Sequence, residues 1–395
     1  MSSSPSGSPR AIVAIPACDE EAAIGTCLAA LATQRDGCGS PLVSGSFDVL
    51  VYANNCSDET VARARSFAEI SPHPVHVVSA RHEPERANAG WARKAAMDLA
   101  ADHLEAGGCR DGIILTTDAD SIVCPTWLAG NLEALAFPND CVAGYIDAIP
   151  VEMMRLGPAF IRRGRLEDRY LRLMAEMYAV CDPRPHDPWP NHRVSSGASL
   201  AVTLKAYRAI GGLPAVAVGE DGALTRLLEG AGFRVRRPMS VTVGTSCRFD
   251  GRARGGAADT MRLRHAIEDA PCDDDVEPAR IVLRRALWRN AMRRDHAGGT
   301  LGSPVWARRL GWSVPAWRAA LERFDAPVFE AMWVRIEAES PALSHRATLR
   351  PAELPEQIIR AEAILARLRE WSFRAPEGVR ADTRRRSAAH VRELA

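Results

Sequence analysis

From Ala11 onward, short apolar runs alternate with stretches whose apolar residues recur every three or four positions. A parallel sheet with crossover helices reads this way, because strands buried on both faces are continuously apolar while covering helices are apolar on one side. Ala11–Pro16 reads as a first strand, and Ile24, Cys27, Leu28 and Leu31 then fall at i, i+3, i+4 and i+7, one face of a helix. A Gly/Ser-rich loop over 37–46 leads to a second strand, Phe47–Tyr52, after which Ser57 and Asp58 offer capping oxygens to a helix carrying Val61, Ala64, Phe67 and Ile70. Val75–Ser79 reads as a third strand. A helix starting near Gly90 is expected to turn Trp91, Ala95, Ala96 and Leu99 inward, and Gly112–Thr117 is a fourth strand running straight into Asp118-Ala119-Asp120.

The pattern then loosens. A helix near Pro125–Ala136 and a strand Val142–Ile146 precede a long helix whose stripe of Leu166, Tyr170, Leu173, Met174 and Met177 is core packing in the ordinary case. Residues 182–190 carry too many prolines for a helix or a central strand and read as a stiffened loop. Gly197–Val202 is expected as a strand, Leu204–Ile210 and Glu220–Gly230 as helices, and Val235–Val243 as the strand that closes the sheet. Beyond Met261 the pattern predicts helices and loops only. The expected organisation is a disordered tail over 1–9, an α/β domain over 10–260, a helical extension over 261–373 and an Arg-rich tail over 374–395.

Composition narrows the class without naming a function. The 50 basic and 49 acidic residues leave a net charge of +1, which argues against a nucleic-acid partner for the molecule as a whole. Ten cysteines are scattered without a C-x-x-C pair, as small buried hydrophobes in a reducing compartment are. No run of about 18 apolar residues is present to span a bilayer. The Ser/Pro/Gly-rich start lacks the apolar core and early positive charge of a signal peptide, so the expected location is cytoplasmic.

In open α/β sheets, ligands bind beyond the carboxyl ends of the strands, where loops and helix amino termini converge. The polar clusters Pro16–Glu20, Asn54–Asp58 and Asp118–Asp120 all fall at such ends. Two carboxylates one residue apart can turn toward one hard cation, Mg²⁺ or Mn²⁺, leaving positions open for phosphate. Asp-Ala-Asp by itself is equally a solvated turn. What distinguishes this one is its place directly after Ile113-Ile114-Leu115-Thr116-Thr117.

Taken in order, Val13-Ala14-Ile15-Pro16-Ala17-Cys18-Asp19-Glu20-Glu21, Asn54-Asn55-Cys56-Ser57-Asp58-Glu59-Thr60, Asp118-Ala119-Asp120 and Gly219-Glu220-Asp221 resemble family 2 glycosyltransferases of the A-type fold, over roughly residues 10–250. The resemblance implies an α/β, Rossmann-like nucleotide-diphospho-sugar transferase fold, with a mixed, mostly parallel sheet flanked by helices. It also implies an inverting transfer from a nucleotide-diphosphate sugar, UDP- or GDP-linked, to an acceptor that the sequence does not identify.

By the same resemblance Pro16, Ala17 and Asp19 would hold the nucleoside, and Asn54 would face base or ribose in place of the family's usual acid. Asn54 can accept or donate, so the base stays open. Gly90 and Arg93 match the family's stretch at nucleotide and sugar, with Arg93 either on the diphosphate or solvated. Asp118 and Asp120 would carry the metal, Asp118 also meeting the donor. Glu220 and Asp221 match the catalytic acidic pair, which of the two is the base being left open, as is plain helix capping by Asp221.

A Gln-x-x-Arg-Trp motif, the mark of processive relatives, is absent; the Gly/Arg-rich loop 246–256 stands there, its Arg248 and Arg252 able to clamp phosphates or to sit on a flexible linker. Trp189, inside the proline-rich loop, and His192, just after it, are a stacking platform and a metal ligand in one reading, packing in the other. Arg285, Arg289 and Arg293 at four-residue spacing suit either a peripheral membrane contact or local pairing with acids. A nucleotidyltransferase needs a Gly-rich grip after the first strand, where Pro16-Ala17-Cys18-Asp19-Glu20 is acidic. A non-catalytic nucleotide-sugar binding module stays as the other alternative, and oligomeric state is open.

Overall fold

A computed structural model describes residues 11–136, 138–251 and 255–374, with side chains as far as 370. Arg252, the 1–9 tail and residues 375–395 lie outside the described residues. The chain divides into two compact units, residues 1–158 with 190–266, and residues 159–189 with 267–395.

The first unit is built on strands β1 (Ala11–Ala17), β2 (Phe47–Asn54), β3 (Val75–Ala80), β4 (Ile113–Thr116), β5 (Ile122–Val123), β6 (Cys141–Ala143), β7 (Tyr145–Ala148), β8 (Leu200–Thr203), β9 (Val235–Arg236) and β10 (Thr242–Thr245). Seven of them form one sheet in the order β3-β2-β1-β4-β8-β6-β9. β1 pairs parallel with β2 and β4, and β3 parallel with β2, whereas β8 runs antiparallel to both β4 and β6. This is the mixed, mostly parallel sheet that the motifs implied. The remaining three strands make a small sheet in the order β5-β10-β7.

Alternation along the central strands divides the core in two. Ala11, Val13 and Ile15 of β1 face one layer with Ile24, Cys27, Leu28 and Leu31 of helix α1 (Ile24–Ala32). Ile12 and Ala14 face the other, against Ala92, Ala96, Met97, Ala100, Ala101 and Leu104 of α3 (Ala89–Ala106), which follows α2 (Thr60–Ala68) in the chain. Each Ile or Leu so buried contributes about 1.5–3 kcal/mol. The alanine-rich face lets α3 lie close to the sheet. That face is rotated by a residue from the expected one: Leu99 is exposed and Trp91 half-buried, because Arg93 turns inward at the helix start.

Two expected strands are each divided between sheets. Val142–Ile146 breaks into β6 and β7 because the backbone partner switches there: Gly144 N donates to Ser199 O, the next residue's N to Val241 O. Val235–Val243 likewise resolves into β9 of the large sheet and β10 of the small one. Helices α4 (Trp127–Leu135), α6 (Leu204–Ala209), α7 (Glu220–Gly230) and α8 (Ala257–Ala266) complete this unit, and α5 (Gly157–Cys181) carries the chain on from it.

The second unit is helical, with α9 (Ala279–Ala297), α10 (Pro304–Leu310), α11 (Val314–Phe324), α12 (Phe329–Glu339) and α13 (Leu354–Arg374). The stripe on α5 is core packing here: Tyr170, Met174 and Met177 are buried with Val282, Leu354, Ile358 and Leu365. The arginine row of α9 turns inward, against the membrane-facing alternative. Arg285 is 1% exposed and pairs with Glu277 at 2.6 Å and Glu337 at 3.2 Å. Arg293 grips Asp182 with both guanidinium arms, and Arg289 lies 3.6 Å from the same carboxylate. Trp189, expected to pack or stack, is 44% exposed. No helix among the described residues is long and apolar enough to cross a membrane.

Candidate active site

The loops beyond the carboxyl ends of β1, β2 and β4 open onto a cleft of about 460 Å³. Pro16, Ala17, Glu20, Asn54, Asn88, Arg93, Asp118, Asp120, Gly197, Glu220, Asp221 and Arg248 line it, together with the backbone near Gly255. Residues separated by more than two hundred positions meet because β1 and β4 end, and α7 begins, on this side of the sheet.

Arg93 is the hub. It is 5% exposed, and its guanidinium donates to Glu220 Oε1 at 2.9 Å, Asp118 Oδ1 at 2.6 Å, Thr116 Oγ1 at 3.0 Å and Gly197 O at 2.9 Å. Burial disfavours its charge, but the Asp118 and Glu220 carboxylates outweigh that and hold Arg93 above its ordinary pKa. A charge so enclosed is not a solvated helix arginine. Gly197 is required opposite it, since any Cβ there would collide with the guanidinium.

A second arginine closes the other flank. Arg248 grips both Glu20 oxygens and lies 3.0 Å from Asp120 Oδ2. Burial and the adjacent Asp118 charge push the Asp120 carboxyl up to about 6, against the opposing pull of Arg248. Two oxygen donors crowded in this way suit a divalent hard cation, whose charge relieves the repulsion between them.

Asp221 sits in the first turn of α7, behind Gly219 at φ +80°. Its Oδ2 accepts from Gly197 N at 3.0 Å and its Oδ1 from Gly222 N at 2.6 Å, which fixes the direction of the carboxylate. Asn54 is 2% exposed: its Nδ2 donates to Arg86 O and Asn88 O, while Oδ1 has no hydrogen-bond partner.

Three candidates, Asp19, Gly90 and His192, fall outside the lining. Asp19, in the left-handed region at φ +52°, turns sideways: its Oδ1 accepts from Ser57 N at 2.6 Å and Asp58 N at 3.3 Å, stitching the loop after β1 to the one after β2. Glu20, one residue on, enters the cleft instead. The sequence reading passed over it, though its place beside Asp19 in the acidic turn was the available signal. Gly90 packs against the backbone of Val216, leaving no room for a Cβ. His192 is 6% exposed, its ring edge-on to Tyr145 at 5.5 Å, and is not part of the lining.

The sequence profile of Glycosyl transferase family 2 matches residues 12–181. Over that stretch the chain is similar to family 2 glycosyltransferases. The match takes in the three clusters after β1, β2 and β4 and stops before Glu220-Asp221. Among solved structures, the chain is similar to mannosyltransferase PcManGT from Pyrobaculum calidifontis in complex with GDP-Man and Mn²⁺, at 20% identity and TM-score 0.46, covering 84% of this chain and 86% of that one. It is similar also to S. aureus TarS in complex with UDP-GlcNAc, at 14% identity and TM-score 0.44, covering 90% and 89%. A third is glucosyl-3-phosphoglycerate synthase from Mycobacterium tuberculosis in complex with Mn²⁺, UDP-glucose and phosphoglyceric acid, at 16% identity and TM-score 0.35, covering 72% and 80%. No curated protein matches the sequence.

Proposed function

We propose that this glycosyltransferase moves a sugar from a nucleotide-diphosphate donor to an acceptor hydroxyl by a single inverting displacement, releasing the product after each transfer. The observation that carries the reading is the Arg93 fork: one buried guanidinium joins Asp118, after β4, to Glu220, at the start of α7, so both acidic pairs border one cleft.

In this reading Pro16, Ala17 and Asn54 receive the nucleoside, with the unpartnered Asn54 Oδ1 able to accept a base N–H. Arg248 meets the diphosphate, exchanging one set of oxygens for another. Asp118 and Asp120 would hold Mg²⁺ or Mn²⁺, whose charge offsets that of the departing diphosphate. Asp221, aimed by the amides of Gly197 and Gly222, accepts the proton of the acceptor hydroxyl; that oxygen bonds to the anomeric carbon as the bond from carbon to the phosphate oxygen breaks, and the electron pair leaves with the nucleoside diphosphate. Glu220 is held by Arg93, so its part is to position that arginine.

The test is a panel of UDP-, GDP- and dTDP-sugars with Mn²⁺, read as melting shift and as donor turnover, with Asp221→Asn beside the native chain. A donor that raises the melting point of both proteins but turns over only in the native one supports the reading. Turnover undiminished in Asp221→Asn rejects it.

A further inference from the structure

We propose that Asp48, His76 and His103 form a second metal site, for a borderline ion such as Zn²⁺, distinct from the carboxylate pair of the cleft. Asp48 lies near the start of β2, His76 near the start of β3, and His103 in the last turn of α3. Asn54, at the cleft, is six residues farther along β2, which at about 3.3 Å per residue puts the cluster roughly 20 Å away, at the other end of the strand.

The arrangement is unlike an ordinary ion pair. Both imidazoles present Nε2 to the same carboxylate oxygen, Asp48 Oδ2, at 3.3 Å and 3.4 Å. Charge-assisted N–H···O bonds close to about 2.7–2.9 Å, so each of these contacts is long for a hydrogen bond. They match the edge of a tetrahedron whose arms are about 2.0–2.1 Å, the length of zinc bonds to imidazole nitrogen and carboxylate oxygen; that edge is about 3.3–3.4 Å. All three donor atoms lie within 4.8 Å of one another. The Asp48 side chain is 4% exposed, while those of His76 and His103 are 42% and 38% exposed, so the anionic ligand comes from the interior and the outer side is open for water to complete the shell.

Donor chemistry separates the two sites. Two nitrogens and one oxygen favour Zn²⁺, Co²⁺ or Ni²⁺, whereas the all-oxygen pair in the cleft favours Mg²⁺ or Mn²⁺. An ion held here would tie edge strand β3 and β2 to the carboxyl end of α3, the helix whose opposite end carries Asn88 and Arg93 into the cleft.

The chain is stripped with chelator, saturated with Mg²⁺ to fill the carboxylate pair, and titrated with Co²⁺. One equivalent per chain should bind with visible d–d absorption of a four-coordinate centre, be displaced by Zn²⁺, and raise the melting point. Binding should weaken at least ~10-fold in His76→Asn and His103→Gln and persist in Asp118→Asn. Should His103→Gln fail to fold, His76→Asn, half-exposed on an edge strand, decides alone. Co²⁺ binding unchanged by the histidine substitutions, or no stoichiometric binding by the folded native chain, overturns the proposal.

Discussion

Arg93 Nε lies 2.9 Å from Glu220 Oε1, joining residues 127 positions apart in the chain. Both side chains are almost wholly buried, so neither charge has water to fall back on. Arg93→Met strands Glu220 and Asp118 together without a counter-charge, and losing one partner of a buried pair costs about 3–5 kcal/mol. Urea unfolding of the variant should register that loss. A change below about 1 kcal/mol would mean the pair is dispensable to the fold.

Asp120 gives stability a sign with pH. Its folded pKa, about 6, lies above the ordinary value of 3.8, so the native state holds the proton longer than the unfolded chain does. Its contribution is therefore complete below about pH 4 and lost as pH rises through 6. In metal-free protein, Asp120→Asn should be more stable than the native chain at pH 7 by an amount of the order of 2 kcal/mol, and the difference should close by pH 4. Melting curves of both proteins across that range decide it.

Gly197→Ala drives a methyl group into the Arg93 guanidinium. The hub must shift, at a cost of about 1–3 kcal/mol. In a cycle with Arg93→Met the two losses should fall short of additive, because the second substitution removes what the first disturbs. Additive losses in calorimetry would place the damage elsewhere.

Asp221→Asn keeps the shape but removes the proposed proton acceptor. The turnover number should fall by roughly 10²–10⁴, with donor affinity changed little, since the loss belongs to the transition state. Steady-state kinetics alongside donor binding by calorimetry separates these from a damaged donor site, which would weaken binding instead.

Asn54→Leu removes a buried acceptor oxygen without a hydrogen-bond partner, in the part of the cleft proposed to receive the nucleoside. Donor KM should rise about 10-fold, the worth of one hydrogen bond of about 1.4 kcal/mol, with the turnover number nearly kept. Equal KM values in the two proteins would exclude Asn54 from donor contact.

Much of this was legible locally. The strands of the parallel half are mainly apolar, interrupted by Asp48 in β2 and His76 in β3, and polar clusters follow β1, β2 and β4 because the sheet buries its interior and leaves its edge to loops. Asp118 and Asp120 needed nothing beyond the strand before them to be noticed. Asp19 and Glu20 could not be told apart, since which of two adjacent acids faces a cleft depends on a single backbone conformation, here the left-handed turn at Asp19. The same limit applies to Val142–Ile146, where an apolar run shows that a strand exists but not that its hydrogen bonds change partner midway. The arginines of α9 read equally as a surface row or an inward one, because their acids come from residues 182, 277 and 337.

By itself, then, the sequence determined periodicity: which segments are strands or helices, which turns are polar, and hence the class of sheet and the side on which a ligand site forms. Those properties come from interactions within a few residues, where spacing alone decides what can be buried. Tertiary structure decided the pairings: Arg93 with Asp118 and Glu220, Arg248 with Glu20 and Asp120, and Asp48 with two histidines. Each depends on distances between segments far apart in the chain, which are set when the layers pack.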